Sequence, residues 1–258
     1  YEGELYVGDQ HAVRRYRDDN GDGVYENELP PLVELPYGYH HKTRTIHFDE
    51  INDRLYVSVG SSCDHCRETD PERAVRSIAR QIPEGALVLI ETTVPPGTCE
   101  KVVAPILSEE LQRRGLGPHA VHLAHSFERV MPGNAYLESI TRFWRAYAGQ
   151  TDEAARVCEA FLSSIVDTEH FPLVRLSSMT ASETAKVMEN TYRAVNIAFI
   201  DEWTKYAETI GIDLYEIIDA IRMRPTHSNI RFPGLGVGGY CLTKDPAFAP
   251  AAARQLFR

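Results

Sequence analysis

The sequence predicts an α/β protein with an incomplete, doubly wound parallel sheet at its centre, a helical region after the sheet and a β-rich segment before it. Three observations carry this expectation. Between about residues 70 and 125 a helix, a buried strand, a loop, a second helix and a second strand succeed one another, the order produced when crossover helices cover a parallel sheet. From Thr180 an apolar stripe keeps helical spacing as far as Tyr206. Before Asp70, short β-prone runs alternate with turns rich in Asp and Gly.

Taken in order, Glu4-Leu-Tyr-Val-Gly8 and Arg54-Leu-Tyr-Val-Ser-Val-Gly60 are β-prone runs closed by Gly, and His11 to Tyr16 and Thr43 to Phe48 are their candidate partners. Polar turns separate them, above all Asp18-Asp-Asn-Gly-Asp-Gly23. Such spacing suggests a piece of a propeller or barrel, and the two Leu-Tyr-Val runs lie about one blade length apart. Asp70-Pro71 opens a helix: Asp accepts a free N–H, and Pro at the first position loses a donor that has no helical partner. Ala74, Ile78 and Ile82 share one face of it. Pro83 to Ala86 is a turn, and Ala86-Leu-Val-Leu-Ile90 has the length and continuous apolar character of a buried parallel strand. Pro95-Pro-Gly-Thr98 is a loop, Cys99 to Arg114 a helix, and Ala120-Val-His-Leu-Ala124 the next strand. Phe143 to Gly149, a helix from Asp152 to Ser164, and Leu173 to Leu176 continue the unit.

The long helix carries Val187, Tyr192 (or Thr191), Val195, Ala198, Phe199, Trp203 and Tyr206 as its stripe. Thr180 and Glu183 fit a capping box, Gly211 stops the helix, and Asp213 caps another that runs to about Met223. A helix this long often packs against a partner subunit. The expected organisation is therefore a β-rich segment over 1–70, an α/β segment over 71–177 and a helical segment over 178–258.

Composition narrows the function. Of 258 residues 43% are hydrophobic and 25% charged, as in a globular chain. A net charge of −10 disfavours nucleic acid as a partner. No apolar run approaches the length of a bilayer span, and no signal peptide precedes Tyr1, so a cytoplasmic protein is expected. The start at Tyr1 rather than Met suggests residues upstream. Five cysteines, an odd number, leave at least one thiol free: Cys63, Cys66, Cys99, Cys158 and Cys241.

Two patterns carry chemistry. In Pro233-Gly-Leu-Gly-Val-Gly-Gly-Tyr-Cys-Leu-Thr-Lys-Asp245, closely spaced glycines let backbone N–H groups approach a ligand, and a thiol follows directly. Lys244 stands about one helical turn beyond Cys241, and a nearby cation favours the thiolate. This fits a reactive Cys beside a loop for a phosphorylated ligand; a Gly-rich turn with a buried Cys has the same pattern. Lys186 and Asn190, spaced i, i+4, share a helical face and together can polarise an oxygen or position a water; a solvated helix surface has the same spacing.

Four segments in order, Thr92-Thr-Val-Pro-Pro-Gly-Thr98, Ser126-Phe-Glu-Arg-Val-Met-Pro-Gly133, Ala185-Lys-Val-Met-Glu-Asn-Thr191 and the loop Gly234 to Asp245, resemble the motifs of the UDP-glucose/UDP-N-acetylmannosamine/GDP-mannose dehydrogenases. The resemblance runs from about residue 72 to 258. It implies a Rossmann-like domain, a helical central domain, NAD as cofactor, and oxidation of the C6 alcohol of a UDP-sugar to a carboxylate. By the same resemblance Cys241 is the nucleophile that passes through a thiohemiacetal and a thioester. Lys186 and Asn190 stabilise the oxyanion. Asp245 assists water activation and positions Lys186, Glu128 serves hydrolysis, and Thr93 contacts the catalytic water near the nicotinamide. Arg231, Gly234, Gly236, Gly238, Gly239 and Tyr240 would hold the substrate, Thr93, Pro95 and Lys244 the cofactor, and helix 180–210 a homodimer. The segment from Glu128 to Gly133 leans toward the mannosaminuronate or bacterial hexuronate branch. The family's opening G-x-G-x-x-G, which binds the NAD pyrophosphate, is not found upstream, and the chain ends at Arg258 before a C-terminal nucleotide-binding domain, so a truncated member is expected.

Gly38 to Asp49 and Leu55 to Cys66 resemble instead a fragment of the quinone-dependent sorbosone/glucose dehydrogenase propellers, with His40 before Arg44 in the position of a base; because two blades do not close a ring, His40 is expected to be a polar loop residue here. Two further readings of the chain follow from these resemblances: a quinone-dependent sugar dehydrogenase fragment, and a non-catalytic dimer built on the long helix. Asp18, Asn20, Asp22 and Gly23 resemble the start of a calcium loop, but position twelve is Leu29, so a solvated turn is expected and no metal. Cys63-x-x-Cys66 has no second pair for zinc.

Overall fold

The computed structural model describes residues 4–8, 12–34, 46–49, 54–57, 72–131 and 133–257. The chain forms two compact units, one of residues 1–86 with 103–121, the other of residues 87–102 with 122–258.

In the first unit, β1 (Glu4–Gly8), β2 (Ala12–Arg17) and β3 (Asn27–Glu34) make an antiparallel sheet in that order. β3 was not expected, because it contains Pro30-Pro31. Proline cannot donate to a ladder and is tolerated at edges and bulges. Here β3 is an edge strand, and its register against β2 shifts between Val13 and Arg15. β4 (Ile46–Asp49) and β5 (Arg54–Val57) form an antiparallel pair. The same unit holds α1 (Glu72–Ala79) and α2 (Ala104–Arg113), which pack on each other; Ala79, Leu107 and Leu111 are buried. Glu110 in this contact is paired with Arg76, Arg80 and Arg113. The Asp70-Pro71 start, His40, Arg44, Cys63 and Cys66 lie outside the described residues.

In the second unit, β6 (Leu87–Ile90), β7 (His122–His125), β8 (Ala146–Gly149) and β9 (Val174–Arg175) form a sheet in that order. The expected parallel sheet is corrected to a mixed one: β6 and β7 are parallel, as are β8 and β9, but β8 runs antiparallel to β7. Mixed sheets of this kind are common in doubly wound folds. α3 (Tyr136–Thr141) precedes β8, and α4 (Asp152–Ser163) follows it, with the Thr151 side chain accepting from Ala154 N–H. A Cβ on Gly149 would lie 2.3 Å from the Ala155 nitrogen, so only glycine lets β8 pass so close to α4. Ala124, Tyr147, Ala155, Cys158 and Leu162 make the core between them.

α5 (Met179–Ile210) is the long helix. Its cap is Ser178, in extended backbone, whose Oγ accepts from Ala181 N–H at 3.1 Å. The expected capping box at Thr180 is therefore corrected: Thr180 is already helical, and Glu183 turns away to another segment. Gly211 ends the helix at φ 73°, a left-handed conformation in which glycine carries no Cβ penalty, and Asp213 caps α6 (Leu214–Arg222) by accepting from Tyr215 N–H. Ile200 and Ala207 of α5 pack on Leu214 and Ile218 of α6. The expected stripe divides into two faces. Val187 is buried, whereas Tyr192, Val195, Phe199, Trp203 and Tyr206 are exposed. After α6 come α7 (Tyr240–Lys244), a tight turn at Asp245–Ala247, and α8 (Phe248–Gln255). α7 and that turn pack against α5.

Candidate active site

The site is built in the second unit from the ends of β6 and β7, the first half of α5 and the loop into α7. Parallel β6 and β7 end side by side, and the segments leaving them stay joined: Ser126 N–H donates to the Ile90 carbonyl at 3.2 Å and Glu128 N–H to the Glu91 carbonyl at 3.3 Å. Thr93 and Pro95, both half-buried, lie on the first segment, and Glu128 lies on the second. Crevices at the carboxyl ends of parallel strands are where α/β folds bind ligands.

Lys186 reaches this segment from α5. Its Nζ donates to the Glu128 carbonyl at 3.0 Å and lies 3.4 Å from Glu128 Oε1. The ammonium also sits 5.7 Å above the Phe127 ring, which Arg129 covers at 5.0 Å. Glu128 Oε2 accepts Val130 N–H at 2.6 Å, which fixes the carboxylate beside the cation. One turn on, buried Asn190 donates from Nδ2 to Asp245 Oδ2 at 2.7 Å, and Asp245 is itself fully buried. The other Asp245 oxygen is paired with Lys244, whose ammonium rests on the Tyr240 and Phe248 rings at 5.0 and 4.7 Å. The hydrogen bonds thus join Lys186 to Glu128, and Asp245 to Asn190 and Lys244. The resemblance implies that Asp245 positions Lys186; the hydrogen bonds of Asp245 run to Asn190, one turn further along α5, and to Lys244.

Cys241 is exposed, in the first turn of α7, and Cys99 and Cys158 are buried. Burial pushes the Cys99 thiol up, aided by the Glu183 charge, and burial pushes Cys158 up to about 12. Cys241 is thus the one accessible thiol among the described residues.

The glycine loop leads into this turn. Gly236 and Gly239 both have φ 78°, a backbone that side chains rarely adopt. At Gly234, Gly238 and Gly239 a Cβ would meet nothing within 4 Å, so packing inside the chain does not demand glycine there. Arg231 and Tyr240 are exposed at the two ends of the loop.

One acidic group escaped the sequence reasoning. Asp18, Asp22 and Glu26 bring carboxylate oxygens within 4.8 Å of one another. Glu26 stands ninth counted from Asp18, ahead of Leu29 at position twelve. Asp18 is already occupied by the N–H groups of Gly23 at 2.8 Å and Gly21 at 2.6 Å, which hold its carboxyl below the usual range.

Two family models match. That for the NAD binding domain of the UDP-glucose/GDP-mannose dehydrogenase family covers residues 9–165, and that for its central domain covers 180–257. A UDP-N-acetyl-D-mannosamine dehydrogenase of Pyrococcus horikoshii is 38% identical over 188 residues, 72% of this chain and 42% of that protein. The solved UDP-D-ManNAc dehydrogenase from P. horikoshii superposes with a TM-score of 0.64 at 36% identity, covering 72% of this chain and 43% of that one. An NDP-N-acetyl-D-galactosaminuronic acid dehydrogenase from Methanosarcina mazei follows with a TM-score of 0.60 at 32% identity, covering 70% of this chain and 37% of the other. The chain thus spans about two-fifths of the length of these relatives. The propeller resemblance is not supported: the NAD-binding-domain model begins at residue 9 and runs across the segment assigned to a propeller.

Proposed function

The chain belongs to the UDP-glucose/GDP-mannose dehydrogenase family, and on that premise we propose that it serves as an NAD-dependent nucleotide-sugar 6-dehydrogenase acting through Cys241. The relatives named for UDP-N-acetyl-D-mannosamine support UDP-N-acetylmannosamine as the first nucleotide sugar to test. The observation that carries the reading is the meeting of Lys186–Glu128 and Asn190–Asp245 on one stretch of α5, with the helix of the exposed thiol packed against it. The comparisons favour this reading over a quinone-dependent fragment or a non-catalytic dimer.

In this mechanism the Cys241 sulfur adds to the C6 aldehyde formed by the first two-electron oxidation. Lys186 and the second N–H of Asn190 stabilise the oxyanion of the thiohemiacetal. A second two-electron oxidation leaves a thioester on Cys241. Glu128, held beside Lys186, takes a proton from water as it attacks, and the carboxylate leaves with the thiol restored. Bound NAD supplies the electron acceptor. The residues that would hold its nicotinamide end are Thr93 and Pro95, half-buried on the segment that leaves the carboxyl end of β6, where folds of this kind bind ligands. Lys244, a cofactor residue by the resemblance, is paired with Asp245. We place the homodimer on the exposed face of α5, where Phe199, Trp203 and Tyr206 form a continuous aromatic ladder with centroids 6.1 and 5.5 Å apart.

Isothermal titration with UDP-N-acetylmannosamine and with NAD+ tests the reading. Saturable binding of the sugar nucleotide, weakened by Lys186→Ala, is expected. Binding of neither compound refutes it.

A further inference from the structure

We propose that Glu183 is a positioning residue: its buried carboxylate fastens the Pro95–Cys99 loop to the helix that carries Lys186 and Asn190. Glu183 is 1% exposed and sits one turn before Lys186 on α5. Its oxygens are both engaged, Oε2 by Gly97 N–H at 2.5 Å and Oε1 by Cys99 N–H at 2.7 Å.

Those donors need an acceptor from elsewhere. Pro95 and Pro96 have no N–H, so Gly97 is the first donor of the turn. Thr98 between them spends its N–H on the Pro95 carbonyl at 3.1 Å, and its hydroxyl on the same carbonyl at 2.6 Å. Cys99 opens the helical segment, where the first N–H groups lack intrahelical partners. Glu183 therefore caps this helix from 84 residues away. The loop is held from its other side too. Gly97 has φ 90°, and a Cβ there would lie 2.7 Å from the Phe257 ring. Glu100 accepts Thr180 N–H at 3.2 Å, a second tie between the same two segments.

Packing alone does not call for a carboxylate here. Burial pushes the Glu183 carboxyl up, and the Cys99 thiol and the loop N–H groups draw it back; an apolar side chain of equal size would fill the space without that cost. What only the carboxylate provides is two acceptors aimed at two N–H groups. Through them the backbone that follows Thr93 keeps a constant position relative to Lys186. That consequence for the reaction rests on the proposed function; the anchor itself does not.

Residue-resolved amide hydrogen exchange on the whole chain tests the anchor. In the wild type, Gly97 and Cys99 should be protected to an extent comparable with the amides of α5. Glu183→Gln, which turns an amide N–H toward one donor, should speed both by about tenfold or more relative to α5. Glu183→Met, of similar volume and without acceptors, should do so more strongly. Fast exchange at Gly97 and Cys99 in the wild type overturns the proposal, as does unchanged protection in both variants. Titration with NAD+ and UDP-N-acetylmannosamine provides the second readout: Glu183→Gln should weaken NAD+ by about fivefold or more and leave the sugar nucleotide unchanged. Equal weakening of both would reduce Glu183 to a general structural residue and overturn the positioning role. Should the wild type bind neither compound while Gly97 and Cys99 are protected, the proposed function falls and the anchor stands.

Discussion

His125 is a buried imidazole whose titration should be visible in the stability of the whole unit. It ends β7, is fully buried, and has Nδ1 2.8 Å from Ser182 Oγ on α5. Burial lowers its pKa to about 4, opposed by the Thr92 backbone. The unfolded chain takes up this proton near the ordinary imidazole value of about 6.5. Between those values the unfolded state binds more protons than the folded one, so stability is lost as pH falls through the window. The full effect is about 3 kcal/mol, of which about 2 kcal/mol falls between about pH 7 and about pH 5. Urea unfolding followed by circular dichroism at those two pH values measures it. His125→Asn keeps a polar group near the Nδ1 position and does not titrate. The wild type should lose about 2 kcal/mol more than this variant on acidification. Equal losses in the two proteins would refute the reasoning.

Two further outcomes are expected. Asn190→Asp sets a second carboxylate against buried Asp245 at the position of a 2.7 Å hydrogen bond. It should cost about 3 kcal/mol at neutral pH, with part of the loss recovered on acidification as one carboxyl protonates, measured by thermal unfolding across pH. Phe199→Asp, on the exposed face of α5, should convert a dimer to a monomer in analytical ultracentrifugation; a wild type that is already monomeric at high concentration would contradict the assignment of that face.

Much of the fold was legible where signals were local. Gly211 and Asp213 marked the junction of α5 and α6 because a left-handed stop and an N-cap are properties of single residues. The helix Asp152–Ser163 ended within a residue of the expected place. Signals that depend on distant partners were not legible. Thr180, with Glu183 three residues on, has the capping-box pattern that Ser178 lacks, yet Ser178 is the cap, and the Glu183 carboxylate is drawn to Gly97 and Cys99. β3 was hidden by its prolines, which an edge strand with a bulge accommodates. The direction of β8 was not readable in Ala146-Tyr-Ala-Gly149, because parallel and antiparallel pairing place the same demands on so short a run. At the site, the i, i+4 spacing of Lys186 and Asn190 was visible, but their partners were not. Lys186 went to Glu128 and Asn190 to Asp245, contacts across 58 and 55 residues that only tertiary packing sets.

The central claim is that Cys241 carries the covalent step. Peptide mass spectrometry after incubating the Glu128→Gln variant with UDP-N-acetylmannosamine and NAD+ tests it most directly, since loss of the Glu128 carboxylate should let the thioester accumulate. The account predicts a sugar-nucleotide acyl adduct on the peptide containing Cys241, absent without NAD+ and absent in Cys241→Ser. An unmodified Cys241 in a protein that has turned over both compounds would contradict it.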